Sequence, residues 1–233
     1  RPCYPLVIIW GTFMLSSAHN MAAASTLGRY GAAPAGTNAL LRAVDMKDAS
    51  KVRLLLEAGA DPNEPVVQIG EGIPSFGIAP LQQAARRDAP AEVAVALLDA
   101  GADPSRRWAG HGPYATARIH GSDAVARVLS ARGLATPLTP VEAALAACAE
   151  GTAPVPGIDP EALDEEDRRL PTRIAGSPGR EAHLRALLDA GLSPHVTDEM
   201  GLTPLHVALW EGLPEMVEIL LERDPDLGHV NAH

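Results

Sequence analysis

The chain of 233 residues has little cysteine, little lysine and few aromatics. Its two cysteines, Cys3 and Cys148, lie in different regions without partner spacing, so the sequence offers no disulfide framework and no C-x-x-C motif. They read as reduced thiols of a cytosolic protein. Lys47 and Lys51 are the only lysines, and every other cation is an arginine. This is a compositional bias and marks no site. Lys plus Arg number 19 against 29 Asp plus Glu, a formal charge of −10, which argues against nucleic acid or an anionic membrane as the main partner. Aromatics are 3% of the chain, so a core must come from Ala, Leu and Val, which suits helices in close contact. The longest apolar run, Leu6–Leu15, is too short to span a membrane. There is no G-x-S-x-G, no phosphate-binding glycine loop and no dinucleotide fingerprint. GHG (110–112) and GSPG (176–179) read as turns.

Metal chemistry is not expected either. The eight histidines are His19, His111, His120, His183, His195, His206, His229 and His233, and none pairs with another at the spacing of a helical zinc motif. The acidic tract at 159–167 lacks the glycine-containing loop of a calcium hand. It reads as a solvated linker and a helix start, since carboxylates favour helix N-termini.

What the chain does have is repetition, the signature of a repeat architecture. KVRLLLEAGADPN (51–63) returns as VAVALLDAGADPS (93–105) and, more weakly, as HLRALLDAGLSPH (183–195). VARVLSARGLATP (125–137) and MVEILLERDPDLG (216–228) are more distant copies. Leu stands at the fifth place each time: Leu55, Leu97, Leu129, Leu187 and Leu220. Upstream of the phrases runs a leader: NALLRAV (38–44), APLQQAA (79–85), GPYATAR (112–118), TPVEAAL (139–145) and TPLHVAL (203–209). Its sixth place is always Ala: Ala43, Ala84, Ala117, Ala144 and Ala208.

Each unit therefore reads as two short helices and a tight turn. Thr203 can cap the first helix and Pro204 can occupy its first position, where a missing N–H costs nothing. The small Ala lets neighbouring helices approach. Val52, Leu55 and Leu56 form one apolar stripe at i, i+3, i+4. Gly59 and Gly101 suit the left-handed residue that ends a helix, and Asp-Pro then turns the chain outward.

The pattern resembles the ankyrin repeat, with a period of ~33 residues and a T-P-L-H-x-A leader. The match is full at Thr203, Pro204, Leu205, His206 and Ala208, and strong at Gly59–Pro62 and Gly101–Pro104. The resemblance implies an all-α repeat solenoid of stacked helix-turn-helix units with β-hairpin finger loops. It further implies a monomer that binds another protein, without catalysis or cofactor, through its fingers and the exposed side of its first helices.

The spacing predicts a repeat domain over 37–233 in about six units: 37–78, 79–111, 112–138, 139–163, 164–202 and 203–233. The first finger (63–80) is enlarged. The fourth unit is degenerate, because Pro156 stands where its second-helix Leu should be. Val207, Leu209, Val217 and Leu220 lie on a last unit without a successor, so the natural chain is expected to continue past His233. Residues 1–36 stand outside the repeats. Arg1, the apolar run and the small residues Ala22–Ser25 allow a secretory signal, while Met14 and Met21 allow a later start. A cytoplasmic location is expected, with secretion as the alternative.

The partner surface follows by position. Finger two (103–113) carries Arg106, Arg107, Trp108 and His111, and Arg and Trp are enriched in binding hot spots. Finger one carries Phe76. Arg86, Arg87, His120, Trp210 and Glu211 follow the buried Ala and should face the groove. The cations hint at an acidic patch on the partner. The competing reading is packing: Trp108 covers the shortened third unit, and Trp210 covers a missing neighbour. Two functions stay open: a non-catalytic protein-binding scaffold, or the recognition module of a larger enzyme or effector whose catalytic domain lies elsewhere.

Overall fold

The computed structural model describes residues 37–65, 77–154, 157–198 and 200–223. Its helices come in pairs. The first three are α1 (Thr37–Asp45) with α2 (Ala49–Glu57), α3 (Pro80–Arg86) with α4 (Ala91–Asp99), and α5 (Pro113–Ile119) with α6 (Asp123–Ala131). Next come α7 (Pro140–Ala149), the short α8 (Glu165–Arg168), α9 (Leu170–Ala175) with α10 (Glu181–Asp189), and α11 (Pro204–Glu211) with α12 (Pro214–Leu221). The pairs stack in two layers, α1–α3–α5–α7 and α2–α4–α6. This is a helical repeat solenoid.

Local chemistry sets the helix ends. Thr203 Oγ1 caps α11 by accepting the His206 N–H, with Pro204 at the first helical position. The same hydroxyl lies 2.7 Å from His206 Nδ1, which fixes that ring in a structural role. Gly59 and Gly101 have φ of +93° and +90°, a region that a β-carbon disfavours. Asn63 stitches one finger to the next: its amide donates to the Gly101 carbonyl (2.8 Å) and its oxygen accepts the Asp103 N–H (2.6 Å). Among the described residues there is no β-strand. Finger two holds one isolated antiparallel bridge, Trp108 to His111.

Two apolar clusters form the core. One joins Leu40, Val52, Leu81, Leu97, Ala117 and Leu129 with their neighbours. The other joins Ile119, Leu145, Leu170, Leu187, Ile219 and Leu220 with theirs. They meet in α5, which supplies Ala117 to the first and Ile119 to the second. Leu220 is fully buried because α12 packs on α10, not on an absent neighbour. The predicted stripe on α2 is only partly realised. Val52 is buried, but Leu55 and Leu56 are half-buried; among the described residues α2 packs chiefly on α1 and α4.

The stacking changes after α7. Helix α7 packs on α5 and on α10, and α9 packs on α10 and α11. Pro154 and Pro156 disfavour a second helix after α7. The Ile158 N–H instead donates to the Ala190 carbonyl (2.8 Å), which holds this segment against the end of α10. A Cβ at Gly157 would lie 2.8 Å from that carbonyl oxygen. Gly157→Ala is therefore expected to cost about 1–3 kcal/mol through forced backbone displacement, read as a lowered urea midpoint.

Candidate functional site

Finger two is shaped by its own backbone. Ala109 (φ +48°) and Gly110 (φ +76°) make the turn between the two bridge residues. Trp108 and His111 exchange N–H···O=C bonds of 2.9 Å in each direction. Gln82 of α3 donates its side-chain amide to the Arg106 carbonyl (2.7 Å), tying the finger to the helix layer.

The predicted arginines are used inside the molecule. The Arg106 guanidinium donates to the Asn63 carbonyl, and Arg107 Nε donates to the Gly110 carbonyl (2.7 Å). Arg87 pairs with Asp45 at 3.3 Å. The Arg86 guanidinium lies over the Trp108 ring, 5.4 Å from its centroid, a cation–π contact. Trp108 is half-buried.

His111 is the focus of the site. Its Nδ1 lies 2.7 Å from Glu142 Oε1, and its Nε2 lies 3.0 Å from Asp167 Oδ2. Glu142 and Asp167 are 4% and 6% exposed; Asp167 corrects the reading of the acidic tract as a solvated linker, while its helix start is present as α8. Glu142 is held by a capping box: its Oε2 accepts the Thr139 N–H (2.8 Å), and Thr139 Oγ1 accepts the Glu142 N–H (3.2 Å). Asp167 is placed by the cap of α8, where Asp164 Oδ1 accepts the Asp167 N–H (2.8 Å). Burial opposes charge on His111, but the Asp167 and Glu142 carboxylates outweigh it and raise its pKa to about 9. His120, at the end of α5, is held well below the ordinary histidine value by burial and by nearby Arg86. His183 is buried with neither ring nitrogen hydrogen-bonded, and burial lowers its pKa to about 4. The Cys148 thiol is buried and pushed up to about 11, so it is a poor nucleophile at neutral pH.

Arg86, Arg106, Arg107, Trp108, His111 and His120 thus gather around finger two and the end of α3 and α5. Trp210 and Glu211 do not join them. They lie exposed on α11, which packs on α9 and α12. Phe76 lies outside the described residues. Glu142, Asp164 and Asp167 were not among the predicted site residues. The T-x-x-E run at 139–142 was the local signal for Glu142. No local signal marks Asp167, which lies 56 residues from His111. Next to this clasp of His111 between Glu142 and Asp167 lies a cleft of about 410 Å³ lined by Gly77, Arg107, Trp108, Ala109, Asp164, Glu165 and Glu166. No helix among the described residues is long and apolar enough to cross a membrane.

The family profile of ankyrin repeats in many copies matches residues 173–221, from α9 to α12. An ankyrin repeat-containing protein of Schizosaccharomyces pombe is 41% identical over 54 residues, 23% of this chain and 26% of that protein. The chain thus spans about a quarter of the length of the curated relative it matches. With the paired helices, the capped T-P-L-H leader and the glycine turns already described, these matches show ankyrin repeats over residues 173–221.

The clasp makes stability depend on pH. An imidazole whose folded pKa is raised above its unfolded ~6.5 stabilises fully below ~6.5 and loses that contribution as pH rises through about 9. Glu142, held below the usual carboxylate range despite burial by its bonds to His111 and Thr139, loses its contribution in acid. With chelator present, the urea midpoint is expected to fall between neutrality and about pH 9.5, by on the order of 3 kcal/mol. His111→Gln should flatten that fall, and a fall of equal size in the variant would remove the clasp from the account.

Proposed function

We propose that the chain is a non-catalytic scaffold that binds another protein through finger two and the adjoining helical face. Ankyrin repeats in general mediate protein–protein interaction, and their proteins are typically non-catalytic. The observation that carries the reading here is the cleft in which Trp108 stands beside Asp164, Glu165 and Glu166. It joins a large aromatic surface to carboxylates, while its one cation, Arg107, is engaged by the Gly110 carbonyl. Such a cleft fits an extended partner segment with a basic side chain next to an apolar one. Leu209 and Trp210, 61% and 69% exposed, add a second apolar patch on α11.

Cross-linked capture with the full chain tests this. Trp108→Ala combined with Glu165→Lys should lose the specific partner. Leu209→Ser combined with Trp210→Ser should retain it. Arg106 is left intact because it holds the Asn63 carbonyl. Glu165 is exposed and its partner Arg169 keeps its bond to Glu166, so the double variant is compared with the wild type by circular dichroism before capture. Equal capture by the wild type and the finger-two variant would sink the assignment.

A further inference from the structure

We propose that His111, Asp167 and Asp164 form a binding site for a divalent cation of the zinc class, with Glu142 as the group that orients His111. One ligand atom from each of the three residues lies within 4.8 Å of the others. Zinc bonds of about 2.0–2.2 Å set tetrahedral ligand atoms about 3.3–3.6 Å apart, so the three groups need only a small side-chain contraction of Asp164 to share one ion. His111 Nε2 stands 3.1 and 3.0 Å from the two Asp167 oxygens, close enough for a shared cation. Its other nitrogen faces Glu142 Oε1 at 2.7 Å, and Glu142 is itself fixed by the Thr139 N–H. A carboxylate behind a ligating imidazole fixes the tautomer and raises the basicity of the ligating nitrogen. The helix starts at α7 and α8 thus preorganise the set.

Charge points the same way. Glu142 and Asp167 are buried, Asp164 stands at the cleft, and one imidazole faces all three. The neighbouring cations Arg169 and Arg173 are bonded to Glu166. A single proton on His111 leaves the three carboxylates in excess. A dication in its place brings the cluster closer to neutrality.

A separate observation comes from the cavity on the inner side. His111 and Asp167 share a chamber of about 10 Å³ with Thr116 and His120. Thr116 is 2% exposed, and its Oγ1 has no hydrogen-bond partner. A buried hydroxyl is rarely left so. The chamber has room for about one water. A water on the cation would complete a four-coordinate sphere and give Thr116 its partner. Asp164, exposed at the cleft, leaves the access route open. The cation would tie finger two to the acidic segment and, through Glu142, to α7.

The test is calorimetric titration of the chelator-stripped full chain with zinc chloride, alongside cobalt(II) absorption and thermal unfolding. The expected result is a single zinc per chain, a tetrahedral cobalt spectrum and a raised Tm. Asp164→Asn keeps the cap of α8, since Asn caps as well as Asp, and should leave the metal-free Tm unchanged. It should nevertheless weaken zinc by about tenfold or more, as should Glu142→Gln. His111→Gln should abolish the site. No stoichiometric binding at about 100 µM zinc would overturn the proposal, leaving a protonated His111 alone in the cluster. Binding that Asp164→Asn and His111→Gln both leave intact would overturn it too, by placing the ion on another histidine.

Discussion

The second half of this solenoid depends on α5 being held at both ends. Helix α5 belongs to two cores at once, through Ala117 on one side and Ile119 on the other. In a solenoid each unit touches only its neighbours, so the two cores communicate through this helix. Hydrophobic burial has no direction and does not by itself fix how the next element arrives. Polar contacts with geometry do. At the start of α5, His111 reaches Glu142 and Asp167. At its end, Arg180 donates to the Gly121 carbonyl and pairs with Asp88, each at 2.7 Å. Gly121 is buried at φ +68°, and a side chain there would run into the Arg180 guanidinium.

The parts of this molecule that were legible in the sequence obey local rules. The capped leader at Thr203 and the glycine turns at Gly59 and Gly101 follow from backbone chemistry that repeats wherever the phrase repeats. The expectation of a degenerate fourth unit rests on a similarly local sign, Pro156 in the place of the second-helix Leu. The site was legible only in part. Arg and Trp pointed to finger two, but not to what the arginines hold. Arg106 and Arg107 bond backbone carbonyls, which every residue has and which leave no trace in composition. The clasp was hidden for another reason. His111, Glu142 and Asp167 come from three segments, separated by 31 and 56 residues. Within the run Asp164-Glu165-Glu166-Asp167, Asp167 is buried and Asp164 and Glu165 are exposed, a difference that composition does not carry.

Irregularity is what brings the carboxylates to the finger. A regular unit would return through a second helix and a finger of turn residues. Here residues 150–154 and 157–158, after α7, are not helical, and Ile158 meets the end of α10, with Gly157 against the Ala190 carbonyl. The chain then enters α8, whose N-terminal cap orders Asp164 and Asp167 beside His111. Two nearly buried carboxylates are unfavourable unless compensated, and a uniform stack of Ala and Leu has no use for them. They are compatible with the fold because each is also a structural part: Glu142 closes the capping box of α7, and Asp167 sits in the first turn of α8. Sites are expected where a chain departs from its own local rules. In this solenoid the departure, the buried charge and the finger that carries Trp108 coincide at one end of α5.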